Sequence, residues 1–216
     1  AKGFSWMTGL EDWSSGAIAN VAELPGTDRP NLPLFALRGK YTWDRGVFSL
    51  GGSLAQLRWD GTDGVDDDTA LQWALVVGGR VYLDAGRRHF VTLGGSYGDG
   101  SAANIISLAE GGVPNAVLQP DGTLETMTAW NAALALQVSW SRALSSNVAV
   151  AWAGIDPSPL LAADTMKSGG AGHVNLIWDV KDPFQVGVEY MIGQRVNVDE
   201  ADGTAHRVQC MAMYSF

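Results

Sequence analysis

The 216-residue chain has a single cysteine, few charges and no long apolar run, and each scarcity removes a class of protein. Cys210 alone excludes an internal disulfide and a cysteine-based metal site. Charged residues make up 17%, against about 25% in a typical water-soluble domain. No stretch reaches the ~18 consecutive apolar residues of a membrane-spanning helix; the best window, 129–140, is interrupted by Asn131 and Gln137. The formal net charge of -9, with acidic residues gathered in 60–68 and 199–202, would repel a nucleic-acid backbone. The three histidines, His89, His173 and His206, have neither HxH nor HxxxH spacing, so no metal or other cofactor is expected. No GxSxG or other nucleophile signature occurs, and an enzyme is not expected. No basic segment followed by an apolar one opens the chain, which fits a mature form or a fragment.

What the chain does contain is glycine, tryptophan and alternation. There are 27 Gly and 9 Trp, and 46% of residues are hydrophobic. Phe184, Val186, Val188, Tyr190 and Ile192 alternate with Gln185, Gly187, Glu189, Gly193 and Arg195, which is a strand with one apolar and one wet face. The same period places Val174, Leu176, Trp178 and Val180 opposite His173, Asn175 and Asp179, and it recurs at Leu134, Leu136 and Val138 and at Leu71, Trp73 and Leu75. Ten strands are predicted, near 3–11, 33–44, 46–59, 69–83, 89–98, 125–141, 147–155, 170–180, 184–196 and 205–216. Their connections alternate strictly between short (44–46, 84–88, 143–146, 181–183) and long (12–32, 60–68, 99–124, 156–169, 197–204). Tight turns on one side and long loops on the other, with spanning strands of ~9–11 residues, are the pattern of an outer-membrane barrel. Aromatic residues near the strand ends, Trp43, Trp59, Tyr82, Trp130, Trp140, Trp178 and Tyr214, fit interfacial girdles. The expectation is one all-β domain over 1–216, an antiparallel transmembrane β-barrel. A soluble barrel with its apolar face inward is the competing architecture.

The last residues add a second line of argument. A final strand ending on Tyr214, Ser215 and Phe216 is similar to the signal by which the outer-membrane assembly machinery recognises its clients. Asn175-Leu176-Ile177-Trp178, the GVEYMIGQR run over 187–195, Ala205-His206-Arg207-Val208-Gln209, Arg38-Gly39-Lys40-Tyr41, Ser49-Leu50-Gly51-Gly52 and Ser96-Tyr97-Gly98-Asp99-Gly100 resemble, in that order, the DcaP-like trimeric porin family. The resemblance implies a homotrimeric channel in the bacterial outer membrane that passes small solutes passively, with anionic compounds such as dicarboxylates favoured. Family barrels have about sixteen strands, so the ten-strand pattern corresponds to the C-terminal portion of such a barrel or to a shortened relative.

Alternation also assigns the charged side chains to faces. Phe35, Leu37, Gly39 and Tyr41 share one face, which turns Arg38 and Lys40 into the lumen, where the resemblance also puts basic residues. An Arg or Lys facing lipid at the midplane would cost about 2–4 kcal/mol. Arg80, Glu189, Arg195 and Arg207 are the other inward charges. A basic lining raises the local concentration of anions, which makes these six the candidate pore-lining residues. An alternative for Glu189, Arg195 and Arg207 is an ion-pair network that fills the barrel. Ala55 and Met213 stand inward where the family resemblance leads one to expect basic residues. The competing function is a narrow, plugged structural or adhesive barrel acting through its long outer loops. The acidic run 60–68 lacks EF-hand spacing and is expected to be a solvated loop, and Cys210 is expected to be an apolar filler on the lipid face.

Overall fold

The computed structural model describes residues 2–12 and 18–215, and these are predominantly strand. In chain order the elements are β1 (Gly3–Glu11), β2 (Ile18–Asn20), β3 (Gly26–Asp28), β4 (Leu34–Trp43), β5 (Gly46–Gly61), β6 (Asp68–Tyr82), β7 (Phe90–Asp99), a 3₁₀ turn (Ala102–Asn104), α1 (Ile106–Glu110), β8 (Ala116–Leu118), β9 (Leu124–Thr126), β10 (Thr128–Ser139), β11 (Leu144–Ile155), β12 (Met166–Lys181), β13 (Phe184–Asn197) and β14 (Asp202–Tyr214). The long strands pair antiparallel with their sequence neighbours in the order β1-β4-β5-β6-β7-β10-β11-β12-β13-β14. β3 adds to β5 at the loop end, and β2-β8-β9 form a separate small sheet. Among the described residues no ladder joins β1 to β14, so these are the two edges of the wall.

The ten predicted strands are the ten long strands found, because period-two alternation and turn chemistry are local signals. Two differences have identifiable causes. The predicted strand 125–141 breaks at Met127, whose N–H and carbonyl bond Asn115 O (3.3 Å) and Gly100 N (2.9 Å) instead of a ladder neighbour. The segments 12–32 and 99–124, read as loops, contain the short strands β2, β3 and β8, the 3₁₀ turn and the helix, and β9 starts at the end of the second. In addition β12 begins at Met166, four residues before the sequence pattern becomes visible, because backbone pairing of Gly169 and Gly170 with β11 needs no apolar side chain.

Register aligns the faces. Leu50 sits opposite Gly39 and Val77, and Leu134 opposite Leu93 and Val150, so apolar residues form continuous rows across the wall. These rows are not covered by the chain: Phe4 is 69% exposed, Leu50 55%, Leu134 52% and Val150 53%. An uncovered apolar face of this extent suits hydrocarbon and not water. The soluble barrel, which needs these residues inside, does not describe this fold. Glycine makes room where rows crowd: a Cβ at Gly170 would run into the Trp152 indole and the Ala151 carbonyl, and one at Gly39 would stand 3.2 Å from the Phe4 ring.

The core lies on the other face, at the loop end. Leu108 and Val117 are fully buried and pack with Ile105, Met127, Ala129 and Ala153, clamping the segment 101–118 against the inside of β10 and β11. Two residues expected in the aromatic girdles belong inside as well. Trp59, on the parity of Leu57, is 5% exposed, and Tyr82 packs edge-on against Phe90 at 6.0 Å. Trp43, Trp130, Trp140, Trp178 and Tyr214 keep the outer parity near the strand ends.

Candidate functional site

The inner face of the wall surrounds a cavity of about 890 Å³. Ala36, Ser53, Ala74, Ser96, Asn131 and Ala171 represent the six strands β4, β5, β6, β7, β10 and β12 around it, and the loop segment Ser101, Asn104 and Ile105–Glu110 closes one side. Side chains from so many strands meet in one space only if the sheet curves around it. The wall side of the lining carries small and polar residues such as Ser53, Ser96, Asn131 and Ala133, and Leu34, Ile105, Ile106 and Met166 add apolar surface at the loop end.

Turnward of this cavity the inner wall is basic. On β4 the inward residues run Leu34, Ala36, Arg38, Lys40, so Arg38 lies about 7 Å and Lys40 about 14 Å along the strand from Ala36. Arg38 Nη2 donates to Ser49 Oγ at 3.2 Å, and Ser49 Oγ donates to the Gly78 carbonyl at 3.3 Å. Both basic side chains are exposed, and neither has an ion pair among the described residues. Arg80 is different: Nε donates to Thr92 Oγ1 at 3.2 Å, and its guanidinium lies 4.2 Å from the centre of the Phe90 ring. The packing fixes Arg80 against the wall near the turn end.

Across β11 to β14 the inner wall carries a polar ladder. Asn175 Oδ1 accepts from the Asn147 backbone N at 2.8 Å and its Nδ2 at 3.2 Å. Asn175 Nδ2 donates to Glu189 Oε2 at 3.3 Å, and Gln209 Nε2 donates to Glu189 Oε1 at 2.8 Å. His173 Nδ1 stands 3.6 Å from Glu189 Oε1. Glu189 is therefore hydrogen-bonded by the two amides, and among the described residues no ion pair joins it to Arg195 or Arg207. Arg195 is tied to the loop end through Asn197 Oδ1 (2.8 Å) and the Asp164 carbonyl (2.6 Å). Arg207 stands exposed on the inner parity of β14, opposite Met191.

Charge is sorted along the strands. Every acidic residue except Asp44, Asp84, Asp179, Asp182 and Glu189 lies on a loop-end segment. Many of those acids serve the loops themselves: Arg58 pairs with Asp60 and Asp67, Asp67 Oδ1 accepts from Gly61 N at 3.0 Å, and Asp68 Oδ2 accepts from Leu124 N at 2.6 Å. Two Thr123 donors, the hydroxyl at 2.7 Å and the backbone N at 3.0 Å, hold the Asp121 carboxyl below its usual range. At the turn end Asp84 is likewise lowered, first by the His89 N–H and then by the Arg88 N–H, each 2.8 Å from Oδ1.

Of the residues singled out from sequence, Arg38, Lys40, Arg80, Glu189, Arg195 and Arg207 all have the inner parity, but they spread over the length of the wall instead of forming one ring. Tyr214 pairs with Phe184 on the outer face, and Phe216 lies outside the described residues. Among the described residues no group of His, Cys, Asp and Glu is arranged to hold a metal ion. Sequence reasoning missed Ile106 and Glu110, which border the cavity from α1. The available signal was the spacing of Ala102, Ile105 and Leu108, an apolar helical period inside a supposed outer loop.

A curved antiparallel wall, apolar outside and hydrophilic inside, is the architecture of a membrane β-barrel. The chain matches the crystal structure of the outer membrane channel DcaP of Acinetobacter baumannii with a TM-score of 0.78 over 99% of its own length, at 16% identity. It thus has the fold of that channel, and it spans 59% of the channel's length. No family model matches the sequence, and no curated protein matches it either.

Proposed function

We propose that this chain forms a channel wall in the bacterial outer membrane and passes small hydrophilic solutes passively, as a porin and not an enzyme. The observation that carries the reading is the pairing of an uncovered apolar outer face with an open inner face on which Arg38 and Lys40 stand without ion-pair partners among the described residues. The fold shared with a channel supports it. Carboxylate-bearing solutes are the favoured class on this reading, because basic groups in a confined lumen raise anion concentration. Insertion by the outer-membrane assembly machinery through Tyr214 and Phe216, and assembly as a homotrimer, belong to the same reading by resemblance.

The loops clamped to the inner wall favour one other reading, a plugged barrel acting through its outer loops. A planar-bilayer recording separates the two. Stable, anion-preferring single-channel steps from the purified protein support the porin, and a folded, reconstituted protein that conducts nothing refutes it.

A further inference from the structure

We propose that the lumen filters solutes at two stations of opposite sign in series, and so favours solutes carrying both an ammonium and a carboxylate group over dianions of the same length. This rests on the channel reading and narrows its solute class.

The first station is the cavity of about 890 Å³ at the loop end. Its lining includes two carboxylates, Glu11 and Glu110, and no lysine, arginine or histidine. The remaining polar groups, such as Ser53, Ser96, Asn104 and Asn131, are neutral. Glu110 is held in place because Leu108, on the same short helix, is fully buried against the wall. Facing the helix, Gly94, Ala133, Ala151 and Gly169 offer no side chain beyond a methyl, and Arg195, the ladder partner of Gly169, is drawn toward the loop end by Asn197 Oδ1 and the Asp164 carbonyl.

The second station follows on the same strands. Ala36 lines the cavity, and Arg38 and Lys40 come next on the inner parity of β4; Val76 lines it, and Arg80 comes four residues on in β6. Glu11 lies opposite Leu34 in the ladder, about 14 Å from Arg38 and about 20 Å from Lys40 along the strand direction; both separations exceed the ~8 Å screening length at physiological ionic strength, so the two fields stay distinct. Passage in series is governed by the highest barrier. A dianion meets it at Glu11 and Glu110, and a dication meets it at Arg38 and Lys40. A solute with one charge of each sign has a favourable group for each station.

The test uses the full chain reconstituted in liposomes and compares uptake of adipate, ε-aminocaproate and hexamethylenediamine, which share a six-carbon skeleton, with arabinose as a neutral reference. Wild type is expected to pass ε-aminocaproate several-fold faster than either of the others. Glu11→Gln/Glu110→Gln is expected to raise adipate and bring the ratio near unity, with arabinose unchanged. Adipate passing at least as fast as ε-aminocaproate, or a ratio unmoved by the double substitution, would overturn the two-station filter while arabinose uptake leaves the channel intact. Liposomes impermeable to arabinose as well would overturn the channel reading and this inference with it.

Discussion

Arg38 and Ser49 are joined across the β4–β5 pair by a 3.2 Å hydrogen bond that leaves the guanidinium exposed in the lumen. The bond orients the charge without neutralising it, and Lys40 extends the basic strip toward the turn. Arg38→Ala/Lys40→Ala is therefore expected to lower the anion-to-cation permeability ratio several-fold, toward unity, in reversal-potential measurements under a salt gradient. An unchanged ratio would move anion selection to Arg80 or Arg207.

The opposed parities of Leu134 and Ala133 give a direct test of which face meets lipid. Leu134 lies near the middle of β10 and is 52% exposed on the apolar face, so Leu134→Arg should destabilise the membrane-inserted state by about 2–4 kcal/mol. Ala133 lines the cavity, and Ala133→Arg should fold normally but reduce conductance. Urea titration in lipid vesicles and single-channel recording read the two effects, and reversed results would mean an inverted wall.

Leu108 is the anchor of the segment that narrows the lumen, with no exposed surface. Leu108→Ala should cost about 2–5 kcal/mol of local packing and free α1 from the wall. The expected readout is larger, noisier conductance from a barrel whose denaturant midpoint hardly moves, since the segment lies outside the main ladder.

Trp152 covers Gly170 on the outer face, where an added Cβ would meet both the indole and the Ala151 carbonyl. Gly170→Ala is expected to cost about 1–3 kcal/mol through overpacking, seen as a lower urea midpoint. Trp152→Ala combined with it should recover part of that loss if the indole is the obstacle.

Asp84 accepts from two backbone N–H groups of its own turn, and its pKa is below the ordinary carboxylate value of 3.8. A depressed folded-state pKa means that the turn's added stability is present above the unfolded value and is lost as pH falls through the lower folded one. Amide exchange of Arg88 and His89 should accelerate, relative to neighbouring turn amides, only below the usual carboxylate range. Asp84→Ala should remove that pH dependence.

The strands, their faces and the side of the wall on which Arg38 and Lys40 stand were legible in the sequence, because each rests on period-two alternation between neighbours a few residues apart. Glu189 was legible as an inward charge, but its partners were not. Asn175 and Gln209 reach it from adjacent strands at a register that hydrogen bonding fixes. The position of the segment 101–118 was decided by the tertiary structure alone. Its place depends on contacts between residues distant in sequence, such as the pairing of Ile18, Ala19 and Asn20 with Ala116, Val117 and Leu118, and on Leu108 packing with Ala129 and Ala153 on the inner wall. Alternation tells a strand which way its side chains point. It contains no information about which loop will cover them, and that covering brings Glu110 to the cavity.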